Sequence, residues 1–414
     1  MFDTTLLGSV DKEVLSAQIA RGYNGFLAYR QLYDKKGISI DQIYHEDPID
    51  LLRRIPILRP AQFRDLVNET IRVTNNVVDL EISSGTSGLP KRRIITRRDE
   101  EIEIEFLSKL FQTTGIEASD SVACLDTGPL TLMVSFLPAL DLCGVKEAYA
   151  FSASVDSIST ITNLGKLKPN VIITIPSIIE RLIDPLEEEL NGFRWNLNKI
   201  IYVGESIHEL TRKRLEIDLD IEVFGYYGAS ETSALGIECK SHDGVHLFTD
   251  QNAVEIIDPE GLTGPALVTT LHQEGLPLIR YPLGDILQVY NNACQCGLSY
   301  PKVDIVGRTD DIISILGVKL SYDSIHRAAF AALDYQGPMI VEIRNNLSDQ
   351  MKIILPECLS KYEDVIFRSL STSEHDLAYL VSSGFIDIDL FFVEKDQFKS
   401  RKSKRILDLR SNPV

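Results

Sequence analysis

Residues 83 to 91 read Ser83-Ser84-Gly85-Thr86-Ser87-Gly88-Leu89-Pro90-Lys91, so four hydroxyls and two glycines fall within six positions, ahead of a Pro-Lys pair. Val77-Val78-Asp79-Leu80-Glu81-Ile82 leads in and Ile94-Ile95-Thr96 leads out, which predicts strand, glycine-rich loop, strand. Glycines let the backbone turn tightly and approach a ligand, so that successive N–H groups can point at an anion. The hydroxyls add neutral donors and Lys91 adds a positive charge, and a polyphosphate needs both. A Walker loop would end in Gly-Lys-Ser/Thr and open a helix; Leu89-Pro90 after the second glycine rules that out. Taken alone, the stretch also fits a Ser/Gly surface turn.

Around this stretch lies a chain of 414 residues, long enough for two or three domains with a sizeable core. Its formal net charge of −18 argues against nucleic-acid partners, which call for clustered Lys and Arg. No apolar run reaches membrane-spanning length; the longest, Leu130 to Leu140, reads as a core segment. The first residues lack the basic region and apolar core of a secretory signal, so a cytoplasmic location is expected. Six cysteines without such a signal suggest reduced thiols or metal ligands more than a disulfide framework.

Read in order, residues 11–75 are mixed and helical. Thr96 can cap a helix whose first turns hold Asp99, Glu100, Glu101, Glu103 and Glu105, an acidic run expected to form a solvated face. Strand, loop and helix then alternate: Val171–Ile175 before a helix opened by Pro176-Ser177, Ile200–Val203 before Gly204-Glu205-Ser206, and Ile221–Phe224 before Gly225. That pattern predicts α/β architecture with ligands at the carboxyl ends of the strands, in loops beginning at Gly204 and Gly225. From about residue 237 to 306 shorter β pieces suggest a small antiparallel subdomain. Past Gly307 a separate α+β module of about a hundred residues is expected, within the usual domain size.

Several further clusters could carry chemistry. Tyr226-Tyr227-Gly228-Ala229-Ser230-Glu231 follows a strand; an aromatic there can stack on a base, and a carboxylate can hold Mg²⁺ against phosphates. Gly284-Asp285 closes a turn, and Gly307-Arg308-Thr309-Asp310-Asp311 joins the two expected modules. Arg401-Lys402-Ser403-Lys404-Arg405 is a basic tail on an acidic chain. Each alone also fits a helix cap, a turn, a linker or a solvated end. Cys239, His246, Cys294 and Cys296 form two sulfur or imidazole pairs that tetrahedral zinc could take, with His242 as the alternative to His246. Their spacings, Cys-x₆-His and Cys-x-Cys, are looser than a zinc finger's, and buried free cysteines are the alternative.

In this order and at these separations the motifs resemble those of the acyl-adenylate-forming (AMP-binding) superfamily, in its phenylacetate–coenzyme A ligase-like branch. Ser83–Lys91 resembles the phosphate loop Ser/Thr-Ser-Gly-Thr-Thr-Gly-x-Pro-Lys, Tyr227–Glu231 resembles Tyr-Gly-x-Thr-Glu, and Tyr281–Asp285 is similar to Tyr-Arg-Thr-Gly-Asp. Gly307–Asp311 resembles the linker motif Gly-Arg-x-Asp-Asp, and Arg401–Asp408 resembles the branch's C-terminal Gly-Lys-Ala-x-Arg-Val-x-Asp. The resemblance implies an adenylate-forming enzyme fold: a large N-terminal α/β domain over residues 1–306, including the β-rich subdomain, and a small mobile α+β lid over 307–414 hinged near Asp310.

It also implies ATP-dependent conversion of a carboxylic acid, expected to be aromatic, to an acyl-adenylate, followed by transfer to a thiol. Ser83, Ser84, Gly85, Thr86, Ser87, Gly88 and Lys91 would hold the phosphates of ATP, and Glu231 would hold Mg²⁺. Gly204, Glu205, Ser206, Tyr226, Tyr227, Gly228 and Ser230 would line the nucleotide. Asp285 and Arg308 would take the ribose, and Lys402 would reach the reacting carboxylate and α-phosphate. The expected partners are the acid and coenzyme A or a carrier protein, with no nucleic acid and no membrane; a homodimer is one assembly such a chain could form.

Three departures stand out. Gly225 replaces the Asn or Asp that relatives usually carry near the adenine. The glycine that would fix the tail's register is absent, so Lys404 competes with Lys402. Residues 126–136 do not match the branch's glycine-rich aromatic stretch beside the acid pocket, which argues against plain phenylacetate as substrate. A nucleotide-binding relative that has lost catalysis is the alternative of another class.

Overall fold

The computed structural model describes residues 6–59, 62–63, 65–68, 76–83, 91–126, 133–153, 157–193, 195–204, 207, 209–257, 262–308, 312–315, 318–333, 335, 339–345, 349–394 and 406–409. Strands β1 (Val77–Ser83) and β2 (Lys91–Thr96) form the expected antiparallel hairpin, and its register runs up to the pair Ser83↔Lys91. Thr96 then caps the helix Arg97–Thr113. Its hydroxyl accepts from Asp99 N, and the Asp99 carboxylate accepts from Thr96 N, so two otherwise unpaired amides are satisfied reciprocally.

Beyond that helix the chain alternates strand and helix. The strands are β3 (Ser121–Asp126), β4 (Glu147–Ser152), β5 (Val171–Thr174), β6 (Lys199–Tyr202) and β7 (Glu222–Ala229), all paired in parallel. The connecting helices are Met133–Leu142, Ser157–Leu167, Pro176–Phe193 and Glu209–Lys213. β5 is buried along its whole length, as a strand covered by helices on both faces must be. Its Val, Ile and Ile read as a continuous apolar run for that reason.

The β-rich pieces that follow are β8 (Ser233–Glu238), β9 (Val245–Leu247), β10 (Asn252–Ile256), β11 (Thr263–Thr270), β12 (Tyr281–Tyr290) and β13 (Lys302–Arg308). As expected of the β-rich stretch within the large domain, these strands pair antiparallel. They continue the parallel strands in a single eleven-stranded sheet, ordered β10-β11-β12-β13-β9-β8-β7-β6-β5-β3-β4. Four N-terminal helices, Lys12–Gly25, Leu27–Asp34, Ile40–His45 and Pro48–Arg54, share an apolar core with this antiparallel half. Arg280 pins them down. Its guanidinium pairs with buried Glu255 at 3.0 Å and donates to the carbonyls of Arg53 and Ile55, while its own carbonyl accepts from Leu58 N.

Past residue 311 a four-stranded sheet is ordered β18-β17-β16-β19, from β16 (Ile340–Asn345), β17 (Asp349–Pro356), β18 (Ile386–Val393) and β19 (Ile406–Asp408). It is preceded by the hairpin of β14 (Ile312–Ile315) and β15 (Val318–Ser321). Arg181, on the helix Pro176–Phe193, donates to the Phe385 carbonyl at 2.8 Å and lies 4.7 Å over the Phe385 ring, joining the two sheets' surroundings. Among the described residues, no helix is long and apolar enough to cross a membrane.

β7 is where the sheet changes character. Glu222–Gly225 pair in parallel with β6, whereas Tyr226–Ala229 pair antiparallel with β8. The sequence reading ended the strand at Gly225 and placed a loop there, since a Gly-Tyr-Tyr-Gly string carries turn residues. The strand instead runs on to Ala229, because β8 folds back and supplies a new partner. At the changeover the Gly225 N–H donates to Glu238 Oε2 at 2.9 Å, and a Cβ on Gly225 would lie 2.5 Å from the Tyr202 hydroxyl. The departure from Asn or Asp thus has a steric cause: Tyr202 fills the volume. Gly225→Ala should cost about 1–3 kcal/mol, the usual range for overpacking, measurable by urea denaturation. Wild-type stability in that variant would contradict this packing.

Candidate active site and metal centre

The end of β7 and the start of β12 each carry a tyrosine and, four residues on, a carboxylate. The two segments exchange hydrogen bonds. Tyr227 donates to Asp285 Oδ2 at 3.0 Å, and Tyr281 donates to Glu231 Oε1 at 2.5 Å. Both carboxylates are buried, at 6% exposure each. The Tyr281 ring rests against Phe63, with centroids 5.2 Å apart. Tyr226 lies beside the buried core residue Phe136, with ring centroids 5.9 Å apart. Asp285 and Arg308 are register partners across β12 and β13, so the backbone brings together the two residues assigned to the ribose.

The phosphate-loop hairpin reaches these segments through Asp99. Beyond capping its helix, Asp99 accepts from Glu274 N at 2.6 Å and Gly275 N at 2.9 Å. Gln273 in the same turn donates to the Glu231 carbonyl at 3.4 Å. On the next helical turn Glu103 forms a buried ion pair with Arg93 of β2. The acidic run is therefore not a uniformly solvated face. Asp99 and Glu103, spaced i,i+4, share the buried side of the helix, while Glu101 is exposed. Sequence reasoning missed this staple because the partners lie some 170 residues away. The available signal was the pairing of that spacing with the basic start of β2, where Arg92 and Arg93 follow Lys91.

Placement differs among the residues singled out from sequence. Ser84, Gly85, Thr86, Ser87, Gly88, Glu205, Ser206, Asp310, Lys402 and Lys404 lie outside the described residues, and for Ser83, Lys91 and Arg308 only the backbone is described. Gly204 directly follows β6 with φ +80°. Tyr226, Tyr227, Gly228, Ser230 and Glu231 follow the point at which β7 changes partner, and Asp285 on β12 is joined to them through Tyr227. A carboxylate of this kind is a hard oxygen donor, the sort Mg²⁺ takes alongside phosphate oxygens, so Glu231 suits that ion.

The four residues Cys239, His246, Cys294 and Cys296 meet, with all ligand atoms within 4.8 Å of one another. Cys239 and Cys294 Sγ are 3.6 Å apart, and Cys296 Sγ lies 3.3 Å from His246 Nε2. A disulfide would need about 2.05 Å. A tetrahedral zinc, with Zn–S about 2.3 Å and Zn–N about 2.0–2.1 Å, implies edges of about 3.8 and about 3.6 Å. The observed spacings sit close to that. His246 Nδ1 lies 3.1 Å from the Tyr300 carbonyl, which holds its proton there and leaves Nε2 toward the sulfurs. Burial opposes ionisation of Cys294, yet the Cys296 backbone N–H and the His246 side chain outweigh it and lower its thiol to about 6. His242, the alternative ligand, stands instead with Arg212 at 3.1 Å and with Phe224.

Cys239 is adjacent to Glu238, whose carboxylate takes both Arg212 Nη1 and Nη2, at 2.9 and 3.0 Å, as well as the Gly225 amide. The Cys/His cluster and the strand changeover are therefore one covalent step apart.

No protein-family profile matches the chain. It is 25% identical to the phenylacetate–coenzyme A ligase of Thermus thermophilus over 402 residues, 92% of this chain and 82% of that protein. It is 29% identical to the indoleacetate–lysine synthetase of Pseudomonas savastanoi over 249 residues, 57% of this chain and 60% of that protein. In three dimensions it superposes with a TM-score of 0.77, at 19% identity, on a 2-hydroxyisobutyryl-CoA ligase in complex with 2-HIB-AMP and CoA, covering 96% of this chain and 89% of that one. In sequence the chain is thus similar to the phenylacetate–coenzyme A ligases, and in fold to an acyl-CoA ligase of the adenylate-forming kind.

Proposed function

We propose that this protein activates a carboxylic acid with ATP as an acyl-adenylate and then passes the acyl group to the thiol of coenzyme A. The observation that carries this reading is the exchange of hydrogen bonds that holds the Glu231 and Asp285 carboxylates together, each bound by a tyrosine of the other segment. A carboxylate oxygen of the acid attacks the α-phosphorus, the α–β P–O bond breaks and pyrophosphate leaves. The thiolate then attacks the acyl carbon, and AMP departs with that oxygen. Ser83, Ser84, Thr86, Ser87 and Lys91 hold the β- and γ-phosphates, and Asp285 and Arg308 hold the ribose. Glu231 would hold Mg²⁺, which would supply charge neutralisation on the phosphates. The protein contributes chiefly positioning and electrostatic stabilisation, the main terms in phosphoryl-transfer chemistry.

The relative that joins an acid to lysine favours an amine acceptor as the second reading. An acid panel assayed for pyrophosphate release, with and without coenzyme A, separates the two. The expected result is acid-dependent pyrophosphate release, with thioester formed only when coenzyme A is added. Tight ATP binding with no release for any acid would favour a non-catalytic relative.

Lys402 of the tail serves the first half-reaction, entering from a small module that turns near Asp310. Lys402→Ala should slow adenylation at least about 10²-fold, the usual cost of losing a preorganised cation. The same variant should still form thioester from synthetic acyl-AMP at near the wild-type rate. Equal loss in both half-reactions would overturn the swing, and selective loss only in Lys404→Ala would move the role to that lysine.

Cys239, His246, Cys294 and Cys296 hold a structural zinc that ties the β8–β9 turn to the segment after β12. Elemental analysis of protein purified without added metal or chelator should find about one equivalent, the stoichiometry of a closed four-ligand site. Less than about a tenth of an equivalent would remove the metal.

A further inference from the structure

We infer that Tyr281 is a positioning residue that presets the Glu231 carboxylate for the divalent ion; this rests on the assignment of Glu231 as the Mg²⁺ ligand. Glu231 sits on the short turn between β7 and β8, and its side chain is 6% exposed. A buried carboxylate on such a turn has several rotamers open to it, and ordering it for a ligand costs side-chain entropy. Tyr281 meets that cost before the ligand arrives. Its hydroxyl donates to Oε1 at 2.5 Å, while the Glu231 carbonyl accepts from Gln273 Nε2, so side chain and backbone are each held by a separate element. Tyr281 itself has little freedom: it is 5% exposed, starts β12 opposite Val268 of β11, and packs on Phe63. A hydrogen bond to one oxygen of a carboxylate orients the remaining lone pairs. Hydrogen bonds of this kind behind a metal ligand typically contribute 10- to 100-fold in metal affinity.

The chemistry is selective for the metal over the nucleotide. Tyr281 donates to Glu231, whereas the corresponding hydroxyl on the other segment, that of Tyr227, donates to Asp285. The two bonds cross, so removing one hydroxyl leaves the other carboxylate's partner in place.

Mn²⁺ replaces Mg²⁺ as a spectroscopic reporter, and its binding to the full-length protein with α,β-methylene-ATP is read by electron paramagnetic resonance. Tyr281→Phe keeps the ring and its packing on Phe63 and removes only the donor. The expected result is Mn²⁺ affinity weakened about tenfold or more, with metal-free nucleotide affinity, measured in EDTA, changed less than about twofold. Tyr290→Phe, which removes a hydroxyl bonded to Asp304 at the other end of β12, should leave Mn²⁺ affinity within about twofold. Unchanged Mn²⁺ affinity in Tyr281→Phe, where Glu231→Gln loses it, overturns the positioning role. Equal weakening in both tyrosine variants also overturns it, since that is general loosening. Unchanged Mn²⁺ affinity in Glu231→Gln shows instead that the metal assignment beneath the inference is at fault.

Discussion

A strand that must serve two kinds of neighbour sets the terms for this molecule. β7 leaves its parallel partner after Gly225 and takes an antiparallel one at Tyr226. At the changeover the Gly225 amide is held by Glu238, a buried carboxylate that Arg212 neutralises with two of its nitrogens. Such a pair is costly to bury and costly to break, since losing one partner strands a charge. What it yields here is a fixed exit direction for β7. Tyr226, Tyr227 and Glu231 all follow from that direction, and so does the candidate metal cluster that begins at Cys239.

From the same strand, order spreads by side chains that each satisfy a long-range partner. Tyr227 and Tyr281 bind across to the opposite carboxylate, and Asp99 fastens the phosphate-loop helix to the turn that supports Glu231. These bonds join segments far apart in sequence into one rim. A rim held from several sides suits chemistry in which groups must be placed before charge develops, because little reorganisation remains to be done during the reaction.

Much of this was legible in the sequence because it is local. The β1–β2 hairpin followed from apolar runs on either side of a glycine-rich loop, and the Thr96 cap from its place before an acidic helix start. The grouping of Cys239 and His246 with Cys294 and Cys296 followed from residue type in one β-rich region, although their spacing alone also fitted buried free cysteines. What escaped was tertiary in origin. A Gly-Tyr-Tyr-Gly string reads as a turn unless a returning strand is known to pair with it. An acidic helix start reads as solvated unless Arg93 and the 274–275 amides are known to face it. Nor could composition show that the β-rich segment continues the parallel sheet, because strand adjacency is decided by pairing and not by pattern.

The reading of this site stands or falls on whether an acyl-adenylate forms, and oxygen tracing asks that directly. With an acid substrate labelled at both carboxyl oxygens with ¹⁸O, ATP and coenzyme A, attack on the α-phosphorus leaves one labelled oxygen on the departing AMP. Mass spectrometry of the nucleotide should therefore show AMP heavier by one ¹⁸O, with unlabelled pyrophosphate. Label in inorganic phosphate with ADP as the nucleotide product, or AMP without label, would contradict the account.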